Sequence, residues 1–326
     1  EMMRFFNIAL AASLLLIVLA FHSYAEDTQT YAERLGFPKG AKVVIFHNDD
    51  AGLCHEANLA SIRGREEGMI TSWSLMMPCP WVTEIRDYLK KNPDTCCGIH
   101  LTLTSEWDHY RWRPVSCTDT YPGLADEDGY LWDNVRLVTE HATPDEFEAE
   151  VRAQIALAEK MGIQISHLDT HMGTVFATEE YFQRYVAVGI DKQIPILLPA
   201  GHMTLLREEE PKFNDQAEKV RALGSLLWNS GLAVIDDAHT NAYDWKKTDK
   251  REEFTQLIKS LHPGITHVII HATVPSENFD AISGSGITRA GDFNAMLDPA
   301  LKALIKEEGI ILSSWKELQE RRNALK

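Results

Sequence analysis

The fold is decided by one apolar run and the polar residues directly after it, Ala41-Lys42-Val43-Val44-Ile45-Phe46-His47 and then Asn48-Asp49-Asp50-Ala51-Gly52. A run this rich in β-branched and aromatic residues predicts a buried strand, and the polar residues mark its end. Two adjacent carboxylates repel each other, so a metal ion, another cation or hydrogen bonds must hold them ionised. A solvated turn followed by a helix cap is the alternative interpretation.

Strands and helices alternate from this run to the end of the chain. Further strands are predicted at 70–77, 97–103, 163–168, 194–198, 232–236, 265–271 and 310–312. Helices are predicted at 55–67, 81–91, 144–161, 178–188, 214–229, 248–260, 292–308 and from residue 314 onward. This alternation indicates parallel strands covered by helices. We expect one α/β domain over residues 26–326, folded as an incomplete (β/α) barrel of about seven parallel strands and not as an open sheet.

Two segments between these elements carry signals of their own. Residues 104–142 are long, aromatic and rich in turn formers, which is typical of a functional loop. Thr143-Pro144-Asp145-Glu146 predicts a helix start, with Thr143 as the cap and Glu146 completing a capping box.

The first 25 residues have the pattern of a secretory signal. Arg4 precedes a short apolar run, and the small residues Ser23 and Ala25 follow it. The uninterrupted apolar run is shorter than the ~18 residues of a membrane span, which argues against the alternative of a membrane anchor. We expect cleavage after Ala25, an exported (periplasmic or secreted) protein and no membrane span in the mature chain.

Composition restricts the partners. The net charge of −16, from 32 basic and 48 acidic residues, disfavours nucleic acid, which binds basic surfaces. A neutral or cationic substrate is compatible with it. The five cysteines are odd in number, match no zinc pattern and are expected to be small buried side chains. The sequence leaves any disulfide pairing, and a homodimer, open.

Three histidines stand at or near predicted strand ends. His100 lies in the strand Gly98 to Leu103, His171 follows Ser166-His167-Leu168-Asp169-Thr170, and His271 ends a later strand. Each by itself is more typical of a hydrogen-bonded core histidine. The C-terminal ends of parallel strands meet on one face of a barrel, however, and this brings the three histidines towards Asp49 and Asp50.

Geometry limits which of these residues can share an ion. Two histidines and one aspartate form a hydrolytic metal site with open positions. His167 and His171 would lie roughly 13 Å apart on an extended chain, so both cannot bind the same ion. Asp169, between them, is a possible orienting partner.

At these residues the chain resembles the YdjC-like carbohydrate deacetylases, which include chitooligosaccharide and hopanoid-associated sugar deacetylases. The similarity runs from about Val43 to Leu318 and is carried by four segments: Asn48-Asp49-Asp50-Ala51-Gly52-Leu53, Gly68 to Met77, Gly98 to Leu103, and Ser166 to His171. The resemblance implies a deformed β/α barrel and one divalent metal ion, zinc or magnesium. It also implies metal ligands at Asp50, His100 and His171, a catalytic base at Asp49 and an acid at His271.

The chain departs from the family pattern at three places. Ala51 stands where Phe is frequent, Met172-Gly173-Thr174 replaces a His-rich stretch, and Ala272-Thr273 follows His271 in place of Pro-Gly. A literal His262-Pro263-Gly264 precedes its strand and is expected at the opposite end of the barrel. These departures leave the implied metal ligands intact and bear on the substrate.

The implied reaction is removal of acetyl groups from N-acetylated sugars or oligosaccharides. The metal would lower the pKa of water and polarise the carbonyl, Asp49 would take the proton, and His271 would protonate the amine. In the aromatic loop, Trp107, Arg111, Trp112 and Arg113 are predicted to contact the sugar, unless they only anchor the loop. A non-catalytic sugar-binding homologue and a metal hydrolase of another amide or ester are the competing hypotheses.

Overall fold

The computed structural model describes residues 29–325, apart from the side chain of Lys212. The predicted signal segment at residues 1–25 lies outside this range, so cleavage and export stay predictions. Within it, seven parallel strands form one sheet: β1 (Lys42–Ala51), β2 (Ser72–Leu75), β3 (Cys97–Leu101), β4 (Leu168–Thr170), β5 (Asp237–His239), β6 (Gly264–Ile270) and β7 (Ile311–Leu312). The order is β4-β3-β2-β1-β6-β5, and β7 pairs with the first part of β1.

The sheet curls into an incomplete barrel, as the alternating pattern predicts. Between the edge strands β4 and β5, the chain makes only isolated parallel bridges, Leu168 with Ile196 and Pro199 with Ile235. The strand predicted at 194–198 is therefore wrong as a regular strand. Pro195 and Pro199 have no N–H to donate, so a continuous ladder cannot form there.

Two other predicted strands are displaced along the chain. β4 begins at Leu168, where a strand at 163–168 was expected, and β5 occupies 237–239 instead of 232–236. The residues 232–235 are buried, yet Ile235 alone among them makes a bridge. An apolar run in the sequence predicts burial, but it does not predict which of its residues form the hydrogen bonds of the sheet.

Thirteen α-helices cover the sheet within the described residues: α1 (Tyr31–Arg34), α2 (His55–Glu66), α3 (Val82–Lys91), α4 (Val135–His141), α5 (Pro144–Lys160), α6 (Glu179–Lys192), α7 (Thr204–Glu209), α8 (Ala217–Asn229), α9 (Arg251–Ser260), α10 (Glu277–Ile282), α11 (Gly286–Leu297), α12 (Pro299–Glu307) and α13 (Trp315–Asn323). None of them is both long and apolar enough to cross a membrane. The short helices α1, α4, α7 and α10 were not predicted.

Helix ends follow local chemistry. The predicted capping box is present, since Glu146 N donates to Thr143 Oγ1 (3.3 Å) and Thr143 N donates to Glu146 Oε2 (2.8 Å). The single helix predicted at 292–308 is wrong, because the chain breaks at Asp298 into α11 and α12. Pro299 takes the first position of α12, and Asp298 accepts a hydrogen bond from Ala300 N at 2.7 Å.

All five cysteines lie within the described residues, and none forms a disulfide. Cys117 is exposed, and the other four are buried. The expectation of buried side chains is therefore confirmed for four cysteines and wrong for Cys117. Among the buried thiols, Cys96 also contacts Ser72 Oγ and Ser166 Oγ, each at 3.3 Å.

A buried ion pair holds the end of β6, the strand that leads to His271. Lys250 Nζ donates to Asp292 Oδ1 at 2.7 Å, to Ala242 O at 2.8 Å and to Thr288 Oγ1 at 2.9 Å. The other oxygen, Asp292 Oδ2, accepts the backbone N–H of His271 at 3.0 Å. Both side chains of the pair are inaccessible to solvent. The pair thus connects α11 to the backbone at the site described below.

Lys250→Met is expected to lower the free energy of unfolding by about 3–5 kcal/mol, because it leaves the Asp292 carboxylate buried without its cation. Urea denaturation measures the change. Lys247→Met is the matched control, since Lys247 pairs with Glu253 at the surface and its loss should leave the midpoint unchanged. Equal midpoint shifts in the two variants would contradict the role given to Lys250.

Candidate functional site

Asp49 and Asp50 lie near the C-terminal end of β1, where the strand is irregular, and both side chains reach the same pocket. The pairing of β1 with β2 shifts register between Asn48 and Ala51, and Asp50 has a φ of 63°. Aspartate tolerates this left-handed conformation better than most residues. A regular pleat would point successive side chains to opposite faces. Here Asp49 Oδ2 and Asp50 Oδ1 both face His100 Nε2, at 3.9 and 3.3 Å.

Asp50, His100 and His171 form a buried triad at the C-terminal ends of β1, β3 and β4. His171 Nδ1 lies 3.3 Å from His100 Nε2, and Asp50 Oδ1 lies 3.2 and 3.3 Å from these two nitrogens. The strand-end placement expected from the sequence therefore brings the three together.

The tautomers of His100 and His171 are fixed by two carboxylates, each on the side of the ring that faces away from the centre of the triad. His100 Nδ1 donates to Asp169 Oδ1 at 2.8 Å, and His171 Nε2 donates to Glu106 Oε1 at 2.9 Å. In the neutral rings the opposite nitrogens, His100 Nε2 and His171 Nδ1, then carry lone pairs that point inward. Asp169 thus lies where an orienting partner is required, and it orients His100.

The donor set of the triad fits a divalent cation. Three acceptor atoms, one from each residue, lie within 4.8 Å of one another. Asp50 Oδ1 is buried and, apart from its contacts with His100 Nε2 and His171 Nδ1, has no hydrogen-bond partner within residues 29–325, so with neutral rings it faces only other acceptors. Because a buried acceptor without a partner is costly, a positive ion at the common focus would satisfy all three atoms.

The charges around the triad favour ionised acids and charged rings when no ion is bound. Burial opposes ionisation of Asp50, but the Arg289 guanidinium and the two histidines hold its pKa well below the usual range. Burial likewise lowers the pKa of His171, yet Glu106 and Asp50 raise it to about 9. A cation entering the site would displace this proton, so the same carboxylates that attract the proton also attract the metal.

Asp49 and His271 lie beside the triad. Asp49 Oδ2 is 3.7 Å from His271 Nε2, and Asp49 itself is 7% exposed, so it can meet solvent. Burial lowers the pKa of His271 to about 4, so its ring is neutral at pH 7. His271 Nδ1 is buried and has no hydrogen-bond partner in the described part of the chain. A carboxylate and a neutral imidazole in this arrangement can exchange a proton.

Three residues that hold this site were not predicted from the sequence. Arg289 of α11 donates from Nη2 to Asp50 Oδ2 at 2.7 Å, Glu106 supports His171, and His47 lies 3.2 Å from Asp49 Oδ1. Glu106 directly precedes the aromatic segment that drew attention, and His47 directly precedes the Asn-Asp-Asp motif. Arg289 had no such signal, because it lies far along the chain in a helix predicted to begin only after it.

The residues predicted to contact a sugar differ in their burial and in the contacts that their side chains already make. Trp112 is buried and donates its indole N–H to Thr104 O at 2.8 Å. Arg111 pairs with Asp126 at 2.9 Å, and Arg113 donates to Gly129 O at 3.2 Å. These three side chains anchor the loop through their own contacts, which does not favour the predicted role in substrate binding.

Trp107 has a different environment. It lines an open cleft between the loop and the end of α10, together with Glu106, Asp108, His109 and residues 280–284. Glu106, which also lines the cleft, contacts His171 Nε2 at 2.9 Å, so the cleft lies beside a residue that supports the triad. Of the four residues predicted to contact a sugar, Trp107 lines this cleft, and the other three are not among its lining residues.

His167 lies away from the triad, in the barrel interior. Its ring stacks on Trp315, with ring centres 5.3 Å apart, and it also contacts the ring of His47. This separation agrees with the geometric argument that His167 and His171 cannot bind the same ion.

Arg289→Met is expected to weaken binding of a divalent ion about 10–100-fold, because Asp50 loses the guanidinium that orients it. Titration of the apoprotein with Zn²⁺ or Mg²⁺ measures the affinity. Arg63→Met serves as the control, since Arg63 pairs with Glu67 on the surface of α2 and should leave the affinity unchanged. Unaltered affinity in Arg289→Met would remove Arg289 from the support of the site.

Comparison with known proteins identifies the family. A carbohydrate deacetylase of Thermus thermophilus is 28% identical over 288 residues, covering 88% of this chain and 97% of the relative. One of Thermoanaerobacter pseudethanolicus is 23% identical over 278 residues, covering 85% and 100%. A solved structure from Enterococcus faecalis V583 superposes with a TM-score of 0.69 at 21% identity, over 85% of this chain and 99% of that one, which shows a shared fold. The family model described as YdjC-like protein matches residues 43–307, and the chain belongs to the YdjC-like family.

Proposed function

We propose that this protein is a metal-dependent deacetylase of N-acetylated sugars or oligosaccharides. The observation that carries the proposal is the triad Asp50, His100 and His171 with a further carboxylate, Asp49, beside it and not part of it. Both full-length relatives compared above bear the name carbohydrate deacetylase. A sugar-binding homologue without activity would need no such carboxylate next to the ion.

The triad residues would hold one divalent ion through His100 Nε2, His171 Nδ1 and Asp50 Oδ1. When bound, such an ion lowers the pKa of a water molecule towards ~7 and polarises the acetyl carbonyl. Two imidazoles favour zinc, whereas magnesium prefers oxygen ligands. Elemental analysis of the purified protein, with zinc and magnesium both measured, distinguishes them.

Asp49 is suited to the role of general base. Arg289 pairs with Asp50 and not with Asp49, and Asp49 Oδ2 lies at the inner side of the pocket, 3.9 Å from His100 Nε2. We assign to this oxygen the proton removed from the attacking water. A positioned base of this kind typically contributes about 10²–10⁴ to the rate.

His271 is suited to return the proton to the leaving amine. Its ring is neutral at pH 7 and can therefore accept a proton first, from Asp49 Oδ2 at 3.7 Å. The backbone N–H of His271 donates to Asp292 Oδ2 at 3.0 Å, which fixes the backbone from which the ring projects towards Asp49.

The cleft beside the triad is suited to a sugar. The indole face of Trp107 offers a stacking surface for a pyranose ring, and Asp108 and Asp280 at the rim can accept hydrogen bonds from hydroxyl groups. An acidic rim also tolerates an already deacetylated, cationic amino sugar. The departures from the family pattern at Ala51, Met172 and Ala272 fall near the site and bear on the substrate. Turnover of a panel of N-acetylglucosamine oligomers measures which substrate length is preferred.

His100→Ala is expected to reduce bound metal from about one ion per chain to near zero, because it removes one of three ligands. Elemental analysis after dialysis against buffer without added metal measures the ratio. His109→Ala is a suitable control, since His109 is exposed on the cleft rim and is not a member of the triad. Full occupancy in His100→Ala would exclude His100 as a ligand.

Asp49→Asn is expected to lower turnover of an N-acetylated sugar by roughly 10²–10⁴, because the amide keeps the shape and loses the basicity. Bound metal and thermal midpoint should stay as in the wild type. Near-normal turnover would rule Asp49 out as the base. Loss of the metal together with activity would instead make Asp49 a ligand.

A further inference from the structure

His47 of β1 is a fully buried histidine, and its ring lies between the carboxylates of Asp49 and Asp169. Its Nε2 is 3.2 Å from Asp49 Oδ1 and 2.8 Å from Asp169 Oδ2. It is outside the triad, and the mechanism above gives it no task. A histidine enclosed by two acids inside a barrel nonetheless costs free energy unless it compensates their charge.

The ring of His47 is held rigidly. Nδ1 lies 3.0 Å from Ser72 Oγ, and Nε2 lies 3.0 Å from Ser74 Oγ. The ring of His267 on the neighbouring strand lies alongside, with ring centres 4.6 Å apart, and the hydrogen bonds that orient His47 come from other residues. Burial lowers the pKa of His47, but Asp169 and Asp49 together raise it to about 9. At neutral pH the ring is therefore an imidazolium with one N–H towards Ser72 and the other towards the two carboxylates.

This arrangement makes the two oxygens of Asp49 unequal. Oδ1 faces the His47 imidazolium, whereas Oδ2 faces His271 Nε2 at 3.7 Å and His100 Nε2 at 3.9 Å. The hydrogen bond from His47 restricts the orientation of the carboxylate plane. With one oxygen held by His47, the other points towards His100 and His271.

We propose that His47 is a positioning residue for the deacetylation reaction, which holds Asp49 Oδ1 so that Oδ2 serves as the proton acceptor. The proposal rests on the proposed function and on Asp49 as its base. His47 touches neither substrate nor the triad, and it acts through Asp49.

Loss of His47 can also act on the metal ligand His100 through Asp169, and this effect must be distinguished from the effect on Asp49. Asp169 contacts His47 through Oδ2 and His100 through Oδ1, so loss of His47 could disturb the metal ligand as well. His47, His167 and Asp169 also have ligand atoms within 4.8 Å of one another, which is the geometry of a further cation site. Metal content distinguishes both routes from positioning of Asp49.

The test compares His47→Leu with His267→Leu in the full chain. Both changes remove an imidazole from the same buried layer, but His267 contacts the indole N–H of Trp315 and no carboxylate of the site. We expect His47→Leu to reduce kcat about 10–100-fold with KM and bound metal unchanged, and His47→Gln, which keeps a donor, to recover part of the loss. His267→Leu should lower the thermal midpoint and leave kcat within about threefold of the wild type, since it makes no contact with the reacting groups.

A double-mutant cycle assigns the effect to Asp49. If His47 acts through Asp49, adding His47→Leu to Asp49→Asn should lower the residual rate no further. A further loss in the double variant, equal losses of kcat in the His47 and His267 variants, or a fall in bound metal in His47→Leu would each overturn the proposal. Two ions per chain in the wild type and one in His47→Leu would make His47 a metal ligand instead.

One readout does not depend on turnover of any sugar. In histidine-labelled apoprotein, NMR titration should show His47 charged at pH 7, and Asp49→Asn should move its titration to lower pH. A His47 titration that is indifferent to Asp49→Asn would overturn the positioning contact itself. An inactive wild type with this coupling present would instead count against the proposed function alone.

Discussion

Three carboxylates, Asp49, Asp50 and Asp169, are buried close together inside the barrel, and the arrangement of the site follows from the need to compensate their charge. Asp50 and Asp169 have pKa values held well below the usual range despite burial. Each acid has cationic or hydrogen-bonding neighbours that it shares with the next one. Because an unpaired charge in such an interior is costly, each carboxylate depends on the neighbours that compensate its charge.

The cationic residues that compensate these acids lie on separate elements of the fold and contact different carboxylates. Arg289 on α11 serves Asp50, and His47 on β1 lies between Asp49 and Asp169. Asp169 and Glu106 accept the outer N–H groups of the ligand histidines, which leaves the inner nitrogens free to bind an ion. The proposed reaction needs this ordering, since a ring in the other tautomer would present an N–H to the metal.

The departure from the family pattern after His271 has a structural counterpart in the first motif. Asn48 Oδ1 accepts the backbone N–H of Ala272 at 2.5 Å, and Asn48 Nδ2 donates to Ser61 Oγ at 2.8 Å. A proline at residue 272 would have no N–H to donate, so this hydrogen bond to Asn48 depends on the departure at Ala272. The literal His262-Pro263-Gly264 lies at the opposite end of the barrel, since Gly264 is the first residue of β6.

The sequence by itself determined the parallel α/β class, the strand-end placement of Asp50, His100 and His171, and the helix start at Thr143, because these depend on local periodicity, capping and the rule that parallel strand ends converge. Only the tertiary structure decided that Asp50 adopts a left-handed conformation, and that Arg289 and Glu106 support the triad. It also decided that Arg111, Trp112 and Arg113 anchor their own loop. Arg289 meets Asp50 across 239 residues of chain. Local periodicity carries no information about such a pairing, which is selected by the charge that each side chain meets once the barrel has formed.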